Sequence, residues 1–431
     1  MAYITLLISL NPLESTELQI TVSDDEVGLN VDLSSVGFAH YRVDGSVDLD
    51  EWEIISSLGL IDGQGGVTLS WEDSLPESMF FKLVEDDSAS NVLNLSDTPD
   101  DYENISWPEH LVTDEVLATD NTPDDNPVTN EGALLGRVLF YDKKLSANYT
   151  MSCASCHQQE NGFSDPDPLS TGFDGRLTGR NSMGLTNAQF YESGHFFWDE
   201  RADALEDQVL EPIQNDVEMG LTLEEAVDRV ASYDYYEQLF VDAFGDSAVT
   251  SERMALALAQ FIRSIVSTQS KYDIGEASDF SNFTDEELLG MQLFNGRARC
   301  ANCHAGPNFV GDRIENNGLE FPYVDEGVGA VTGRDRDLGK FKMSSLRNIE
   351  KTAPYMHDGR FTTLEEVVEH YDNGVVDNDN LGRALLDQNG VRQLNLSQEE
   401  KDALVAFMLT MTDDVVLTDS KWSDPFAEGA Q

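Results

Sequence analysis

All four cysteines of the chain lie in two copies of one short pattern. The copies are Cys153-Ala-Ser-Cys156-His157 and Cys300-Ala-Asn-Cys303-His304. This C-x-x-C-H pattern is typical of c-type haem attachment, because two thiols three positions apart can form thioethers with the two vinyl groups of one porphyrin. The adjacent histidine can then bind the iron as the proximal ligand. The pattern therefore predicts two covalently bound haem c groups.

Other uses of the cysteines fit the spacing less well. Two C-x-x-C pairs could bind one zinc ion, but zinc ribbons separate their pairs by roughly 15–20 residues, far less than the gap here. Zinc would also not require a histidine directly after each pair. Two structural disulfides are less plausible still, since adjacent C-x-x-C thiols are poor cross-links. Covalent haem attachment in bacteria takes place outside the cytoplasm, which predicts an exported, periplasmic protein.

The charge balance excludes several classes of partner. The 431 residues include 26 basic and 81 acidic side chains, a net charge of −55. Such a chain would be repelled by nucleic acid and by anionic lipid head groups. The 40% hydrophobic content indicates a folded protein with an acidic, solvating surface of the kind suited to salty water. No apolar run is long enough to span a membrane, and the apolar run at 2–10 is interpreted as a first strand, with the export signal expected to be missing from this sequence.

The elements that must position the haem motifs divide the chain into four parts. Runs such as LQITV, HYRV, VTLSW and FFKLV predict a small all-β, sandwich-like module over residues 1–85. Residues 86–128 are rich in Asp, Asn, Ser, Thr and Pro, which predicts a solvated acidic linker. Helical patterns follow at 251–265, 284–294 and 397–408, and the second of these begins with the capping box Thr284–Glu287. The predicted fold is therefore mainly α, with a β module followed by two cytochrome c-like haem domains at 129–272 and 273–431, the second carrying the C-terminal tail.

Residues 126–414 resemble the bacterial diheme cytochrome c peroxidase and MauG family. The matching stretches are LLGRVLFYDKKLS, HFFWDERADALEDQ, QNDVEMG and GKFKMSSLRNIEKTAPYMHDGRFTTLEEVVEHY. The resemblance implies a peroxidase that reduces hydrogen peroxide with electrons from a small cytochrome c or cupredoxin. It leaves open a MauG-like oxidase that uses peroxide to oxidise a protein side chain, and an electron-transfer cytochrome without enzymatic activity. A homodimer is a further expectation from the resemblance.

The resemblance also implies roles for residues around the first haem, attached at His157. It implies that peroxide binds there, with Gln208 and Glu218 on the distal side and Glu218 as the acid–base group. Trp198 matches the family's tryptophan between the two haems, next to Glu200, where the family usually has glycine. Without the resemblance, Glu218 would be interpreted as a surface glutamate and Trp198 as a core aromatic residue.

At the second haem, attached at His304, the resemblance implies six-coordinate iron that accepts electrons. Tyr371 occupies the position of the sixth ligand, where peroxidases usually have methionine and MauG has tyrosine. A phenolate ligand would stabilise ferric iron and lower the potential, whereas a thioether would raise it. Met356 is the main alternative, and His357 and His370 lie nearby.

Two further expectations come from the same comparison. Asn181, Thr352 and Pro354 match the family's inter-haem calcium site, and their oxygen donors suit this hard ion. Typical diheme peroxidases carry a histidine in the loop after the first haem, and this ligand blocks the iron until the other haem is reduced. The corresponding loop here, GFDGRLTGRNSMG, has no histidine. We therefore expect an open, five-coordinate first haem, with His195 as the alternative blocking ligand.

Overall fold

The computed structural model describes residues 92–95, 100–311 and 313–427, together with the backbone of six strands between residues 18 and 85. These strands are β1 Leu18–Val22, β2 Val27–Asp32, β3 Ala39–Ser46, β4 Glu53–Ile61, β5 Gly66–Trp71 and β6 Phe80–Glu85. They form two three-stranded antiparallel sheets with the orders β1-β2-β5 and β4-β3-β6. The predicted strand at 2–10 lies outside the described residues, and the sandwich-like packing stays a prediction.

The rest of the described chain is mainly helical, as predicted. Its helices are α1 Asp114–Leu117, α2 Asn130–Tyr141, α3 Cys153–Cys156, α4 Leu205–Gln208, α5 Glu211–Gln214, α6 Leu223–Ala231, α7 Tyr235–Phe244, α8 Ser251–Ser264, α9 Lys271–Glu276, α10 Asp285–Asn295, α11 Val328–Thr332, α12 Leu364–Glu369, α13 Gln398–Leu409 and α14 Asp414–Thr418. Two short hairpins pair β7 Ile314–Glu315 with β8 Phe341–Lys342, and β9 Leu386–Asp387 with β10 Gly390–Val391. None of the helices in this part of the chain combines the length and apolar character needed to cross a membrane.

Each haem motif is held by a pair of helices in close contact. Helices α2 and α8 meet at Gly136, where an added Cβ would lie 2.0 Å from the Ala257 carbonyl oxygen. Helices α10 and α13 meet in the same way at Gly290, where a Cβ would lie 1.9 Å from the carbonyl oxygen of Ala403. Only glycine permits backbones to approach so closely. Both units therefore pack their helix pair through a glycine against a backbone carbonyl. The capping box predicted at Thr284 is present and begins α10.

The segment predicted as a solvated linker differs from that expectation from residue 100 onward. The Tyr102 side chain is buried, and its hydroxyl donates a hydrogen bond to the Lys421 carbonyl at 2.6 Å. His110 Nε2 lies 2.7 Å from the Asp273 carboxylate. Apolar residues spaced among the acidic ones, including Leu111 and Val116, are buried as well. Residues 100–128 therefore pack against both haem units, because these apolar side chains outweigh the polar composition of the segment.

The C-terminal segment also packs differently from the prediction that assigned it to the second haem unit. Val416, Trp422 and Phe426 are buried in the core of the first unit. The Tyr141 hydroxyl donates to the Trp422 carbonyl at 2.7 Å, and Arg137 Nε donates to the Ser423 carbonyl at the same distance. The C-terminal segment therefore returns from the second haem unit and packs against the first.

Candidate active site

The first haem motif opens onto a cavity of about 590 Å³. Its wall contains all six residues that the sequence assigned to this site: Cys153, Cys156, His157, Trp198, Gln208 and Glu218. The volume lies in the range of cavities that bind cofactors. His157 is the only histidine among the described residues that line it. The structure thus brings together the predicted attachment and distal residues.

The second haem motif opens onto a neighbouring cavity of about 240 Å³. Cys300, Cys303, His304, Tyr371 and Met356 line it, mostly together with apolar side chains. The two cavities share part of their walls, namely Asn181, Ser182, Met183, Gly184, Trp198, Lys342 and Ser344. The two predicted haem sites are therefore separated by one layer of residues.

Both motif histidines are held in the orientation that metal ligation requires. His157 Nδ1 donates to the Phe163 carbonyl at 2.9 Å, and His304 Nδ1 donates to the Phe309 carbonyl at 3.2 Å. A carbonyl can only accept, so each Nδ1 carries the proton and Nε2 keeps its lone pair for iron. Burial lowers the pKa of both imidazoles, which favours the neutral, ligating form.

The remaining groups fit covalently bound haem. All four cysteines are free of disulfides. Burial raises the pKa of Cys153 to about 12 and that of Cys156 to about 11, so both are neutral thiols at physiological pH. In the second cavity, Arg392 has a buried Nε with no hydrogen-bond partner among the described residues. An anionic propionate would satisfy such a group. Thiols, neutral imidazoles and this arginine together match the donor set that haem c needs.

Glu218 reaches the first cavity from a tight loop. The Asn215 side chain accepts hydrogen bonds from the backbone amides of Val217 and Glu218 at 2.9 and 3.3 Å, and the Glu218 carbonyl accepts from the Phe173 amide at 3.0 Å. Burial raises the pKa of Glu218, the positive charge of Arg201 opposes this shift, and the negative charge of Glu211 adds to it. The carboxyl group can therefore hold a proton at higher pH than an exposed glutamate does.

Trp198 lies in the wall common to both cavities. Its indole Nε1 donates to the Asn181 carbonyl at 2.8 Å, and its own carbonyl accepts from the Lys342 amide at 2.8 Å. Glu200, at the position where the family usually has glycine, adopts φ 54° and so keeps a turn that glycine forms without strain. The indole is therefore bonded within the first haem unit, and the Trp198 backbone is bonded to the second.

An ion cluster around the buried Asp199 carboxylate supports the same loop. The Asp199 carboxylate contacts Arg180 at 2.6 Å and Arg201 at 3.0 Å. Arg180 also forms a two-point contact with Asp325 at 2.7 and 2.9 Å. Burial works against the charge of Arg180, but its bonds to the two carboxylates raise its pKa. The cluster joins the Trp198 loop to the second haem unit.

The candidate sixth ligands of the second haem occupy different positions. Tyr371 lies in a π-helical turn, His370–Gly374, and lines the second cavity, where burial raises its pKa. Such turns are frequent at functional sites. Met356 also lines the cavity, with its sulfur accepting from Asn317 Nδ2 at 3.3 Å. His357 lines the cavity and stacks on Phe341 with ring centroids 3.8 Å apart.

His370 is not among the residues lining the second cavity, and its Nε2 donates to the Asn317 carbonyl at 3.0 Å. Asn317 therefore holds Met356 with its amide and His370 with its carbonyl. Sequence reasoning missed this residue, because it lies some 40 residues from the segment it organises and belongs to no motif.

Two sets of residues complete the predicted site. Asn181, Thr352 and Pro354 all line the second cavity, and Asn181 Nδ2 donates to the carbonyls of Asp167 and Pro168, both at 3.2 Å. His195 is not among the residues lining the first cavity, and its Nδ1 lies 3.5 Å from the Asp203 carboxylate. This position gives no support to His195 as a blocking ligand.

Comparison with known proteins defines the class. The family described as di-haem cytochrome c peroxidase matches residues 130–278. The chain is 31% identical over 315 residues to the methylamine utilization protein MauG of Methylophilus methylotrophus, covering 72% of this chain and 91% of the relative. It is 36% identical over 292 residues to the cytochrome c551 peroxidase of Nitrosomonas europaea, covering 67% and 82%.

A solved structure shows the same fold. The crystal structure of a MauG-like protein associated with microbial copper homeostasis has 33% sequence identity and a TM-score of 0.65, covering 75% of this chain and 99% of that one. The chain therefore belongs to the diheme cytochrome c peroxidase and MauG family, which implies two haem c groups.

Proposed function

We propose that this protein is a periplasmic peroxidase that reduces hydrogen peroxide to two waters with two protons and two electrons from a small redox protein. The proposal rests mainly on the first cavity, which is lined by Glu218, Gln208 and His157 together. Relatives named as cytochrome c peroxidases support the same activity.

The chain's own groups account for the proton chemistry. Haem bound at His157 would supply the position where peroxide binds and the capacity to accept electrons. Cleavage of the O–O bond into water requires a proton to move from the inner to the outer peroxide oxygen. The Glu218 carboxylate accepts this proton and returns it to the leaving oxygen. The Gln208 carboxamide, which lines the same cavity, donates a hydrogen bond that orients the peroxide.

Trp198 couples the two sites. Its indole is in contact with both cavities, so it offers a route for electrons between the two haems. Tyr371 is the proposed sixth ligand of the second haem. Asn181, Thr352 and Pro354, which all line the second cavity, are the proposed calcium site, and the ion would fix the backbone to which the Trp198 indole is bonded. A small cytochrome c or cupredoxin would deliver electrons near the second haem.

A second candidate function is the MauG-like oxidation of a protein side chain. Tyr371 in the second cavity favours it, because a tyrosine ligand is the feature that this chain is expected to share with MauG. In that case peroxide would be consumed while a partner protein, and not a small redox protein, supplied the electrons.

Steady-state turnover distinguishes these functions. The holo-protein is given peroxide together with a reduced monohaem cytochrome c or, separately, a reduced cupredoxin. Oxidation of either donor supports the peroxidase, and peroxide consumption without donor oxidation supports the MauG-like function. Glu218→Gln should lower turnover about 100-fold, the size expected for loss of a general acid–base. Asp216→Asn is the matched control, since Asp216 is two residues away, exposed and outside the cavity wall.

A further inference from the structure

A third cavity, which we call the surface cleft, lies beside both haem sites. It measures about 540 Å³, and Tyr191, Glu200, Arg313, Lys340 and Arg383 are among its lining residues. Tyr191 also lines the first haem cavity, and Glu315 lines both the surface cleft and the second haem cavity. Tyr191 therefore lies between the predicted peroxide site and the surface cleft.

Tyr191 is buried and contacts both a carboxylate and an ammonium group. Its side chain is 2% exposed, and its hydroxyl donates a hydrogen bond to the Glu200 carboxylate. The ring packs against Lys342, whose Nζ lies 3.5 Å from the ring centroid and whose backbone amide binds the Trp198 carbonyl. One residue thus connects Tyr191 with the loop that carries Trp198.

Glu200 supplies the second observation. It holds φ 54°, a conformation that is strained for a residue with a side chain and that glycine adopts freely. Such a conformation persists where surrounding contacts hold it, and the hydrogen bond between the Glu200 side chain and the Tyr191 hydroxyl is one of these contacts. The resemblance to the family leads us to expect glycine at this position, so both the strain and the carboxylate distinguish this chain.

We propose that Tyr191 is a one-electron relay from the surface cleft to the first haem site, with Glu200 as its proton acceptor; the proposal rests on the proposed peroxidase function. Oxidation of a phenol is favourable only when its proton leaves with the electron, and a hydrogen-bonded carboxylate can receive that proton without diffusion. A small one-electron reductant entering the surface cleft would be the electron source.

The relay moves one electron and one proton in each step. Tyr191 loses one electron to the peroxide-oxidised site, and its hydroxyl proton moves to the Glu200 carboxylate, which leaves a neutral phenoxyl radical and a carboxylic acid. The reductant returns one electron to the radical while Glu200 returns the proton. Two such cycles supply the two electrons that one peroxide molecule requires. The nearby Lys342 charge disfavours a cationic ring, which makes the proton transfer to Glu200 obligatory.

The basic residues of the surface cleft favour an anionic reductant. Four basic residues line it, Arg313, Arg336, Lys340 and Arg383, against three acidic ones, Glu200, Glu315 and Asp379. Among the described residues, neither Arg336 nor Arg383 has a carboxylate within ion-pair distance. The probe is therefore ferrocyanide, a small anionic one-electron reductant. Two ferrocyanides and two protons are consumed for each peroxide.

The test uses freeze-quench electron paramagnetic resonance of the oxidised holo-protein mixed with peroxide, with ring-deuterated tyrosine to assign the signal. The wild type should show a tyrosyl radical that decays on addition of ferrocyanide. Tyr191→Phe should abolish the signal, and Glu200→Gln should lower it about tenfold. Tyr355→Phe is the matched control, because Tyr355 is also buried and lines the second haem cavity. Glu200→Gly, which removes the carboxylate and relieves the backbone strain, should behave like Glu200→Gln even if the latter folds poorly.

Each outcome decides between the two proposals. A haem absorbance change with peroxide but no tyrosyl radical in the wild type would overturn the relay and leave the peroxidase intact. A radical that survives in Tyr191→Phe would also overturn the relay. Absence of any absorbance change with peroxide would overturn the peroxidase function itself, and with it the relay.

Discussion

At the scale of single residues, the charges around Glu218 set the pH dependence of the reaction. Burial and Glu211 raise the pKa of Glu218, and Arg201 lowers it. Glu218 must be a carboxylate to accept a proton from peroxide, so the rate falls as the pH falls through its pKa. Arg201→Gln removes a favourable charge and should move the acidic limb of the kcat/KM profile to higher pH.

Glu211→Gln removes an unfavourable charge and should move the same limb to lower pH. Each shift should be on the order of half a pH unit, as expected for one charge near a partly buried carboxyl. If the acidic limb of the kcat/KM profile moved by the same amount and in the same direction in Arg201→Gln and Glu211→Gln, a group other than Glu218 would control it.

The ligand of the second haem can be tested by exchange of side chains. Tyr371→Met replaces a phenolate by a thioether and should raise the reduction potential of this haem by on the order of 100 mV, since axial ligands set haem potentials over about 0.8 V. Met356→Leu is the control and should leave the potential near the wild-type value. A redox titration followed by absorbance measures both, and a large change in Met356→Leu alone would identify Met356 as the ligand.

At the scale of secondary-structure elements, the two glycine contacts set how closely the helix pair of each haem unit can pack. A Cβ at Gly290 would lie 1.9 Å from the Ala403 carbonyl oxygen, so Gly290→Ala must push α10 away from α13. We expect a loss of about 1–3 kcal/mol in the free energy of unfolding, the usual cost of overpacking. Gly179→Ala is the control, since no atom lies within 4 Å of its Cβ position. Denaturant unfolding of the holo-protein gives both values, and equal stability of the two variants would contradict the packing argument.

The sequence predicted the local parts of the site well and the long-range parts poorly. Cys153, Cys156 and His157 are neighbours in the chain, so their shared cavity follows from one pattern. Trp198 and Glu218 could be predicted only because long motifs surround them. Asn317 and the burial of Tyr102 could not, since both depend on contacts with segments far away in the sequence. The prediction of a solvated linker was wrong for residues 100–128, because it used the polar composition of the segment and ignored its few apolar side chains, which are buried.

At the scale of the whole molecule, the net charge of −55 determines how stability depends on salt. At low ionic strength the acidic side chains repel one another across the surface, and this repulsion favours the unfolded chain. Screening at about 1 M salt, where the Debye length is about 3 Å, should remove most of it. Tm should therefore rise by several degrees between low and high sodium chloride. A Tm that falls with salt would show that the surface ion pairs, such as Arg253 with Asp246, outweigh the repulsion.

We expect the first haem site to be open to peroxide without prior reduction, because His157 is the only histidine among the described residues lining its cavity. The most direct measurement mixes the fully oxidised holo-protein with one equivalent of hydrogen peroxide in a stopped-flow spectrometer and then adds a reduced monohaem cytochrome. We predict an immediate change in the haem absorbance, followed by oxidation of the cytochrome. A haem spectrum that stays unchanged until one haem has been reduced would contradict an open first site and would require a blocking ligand at the first haem.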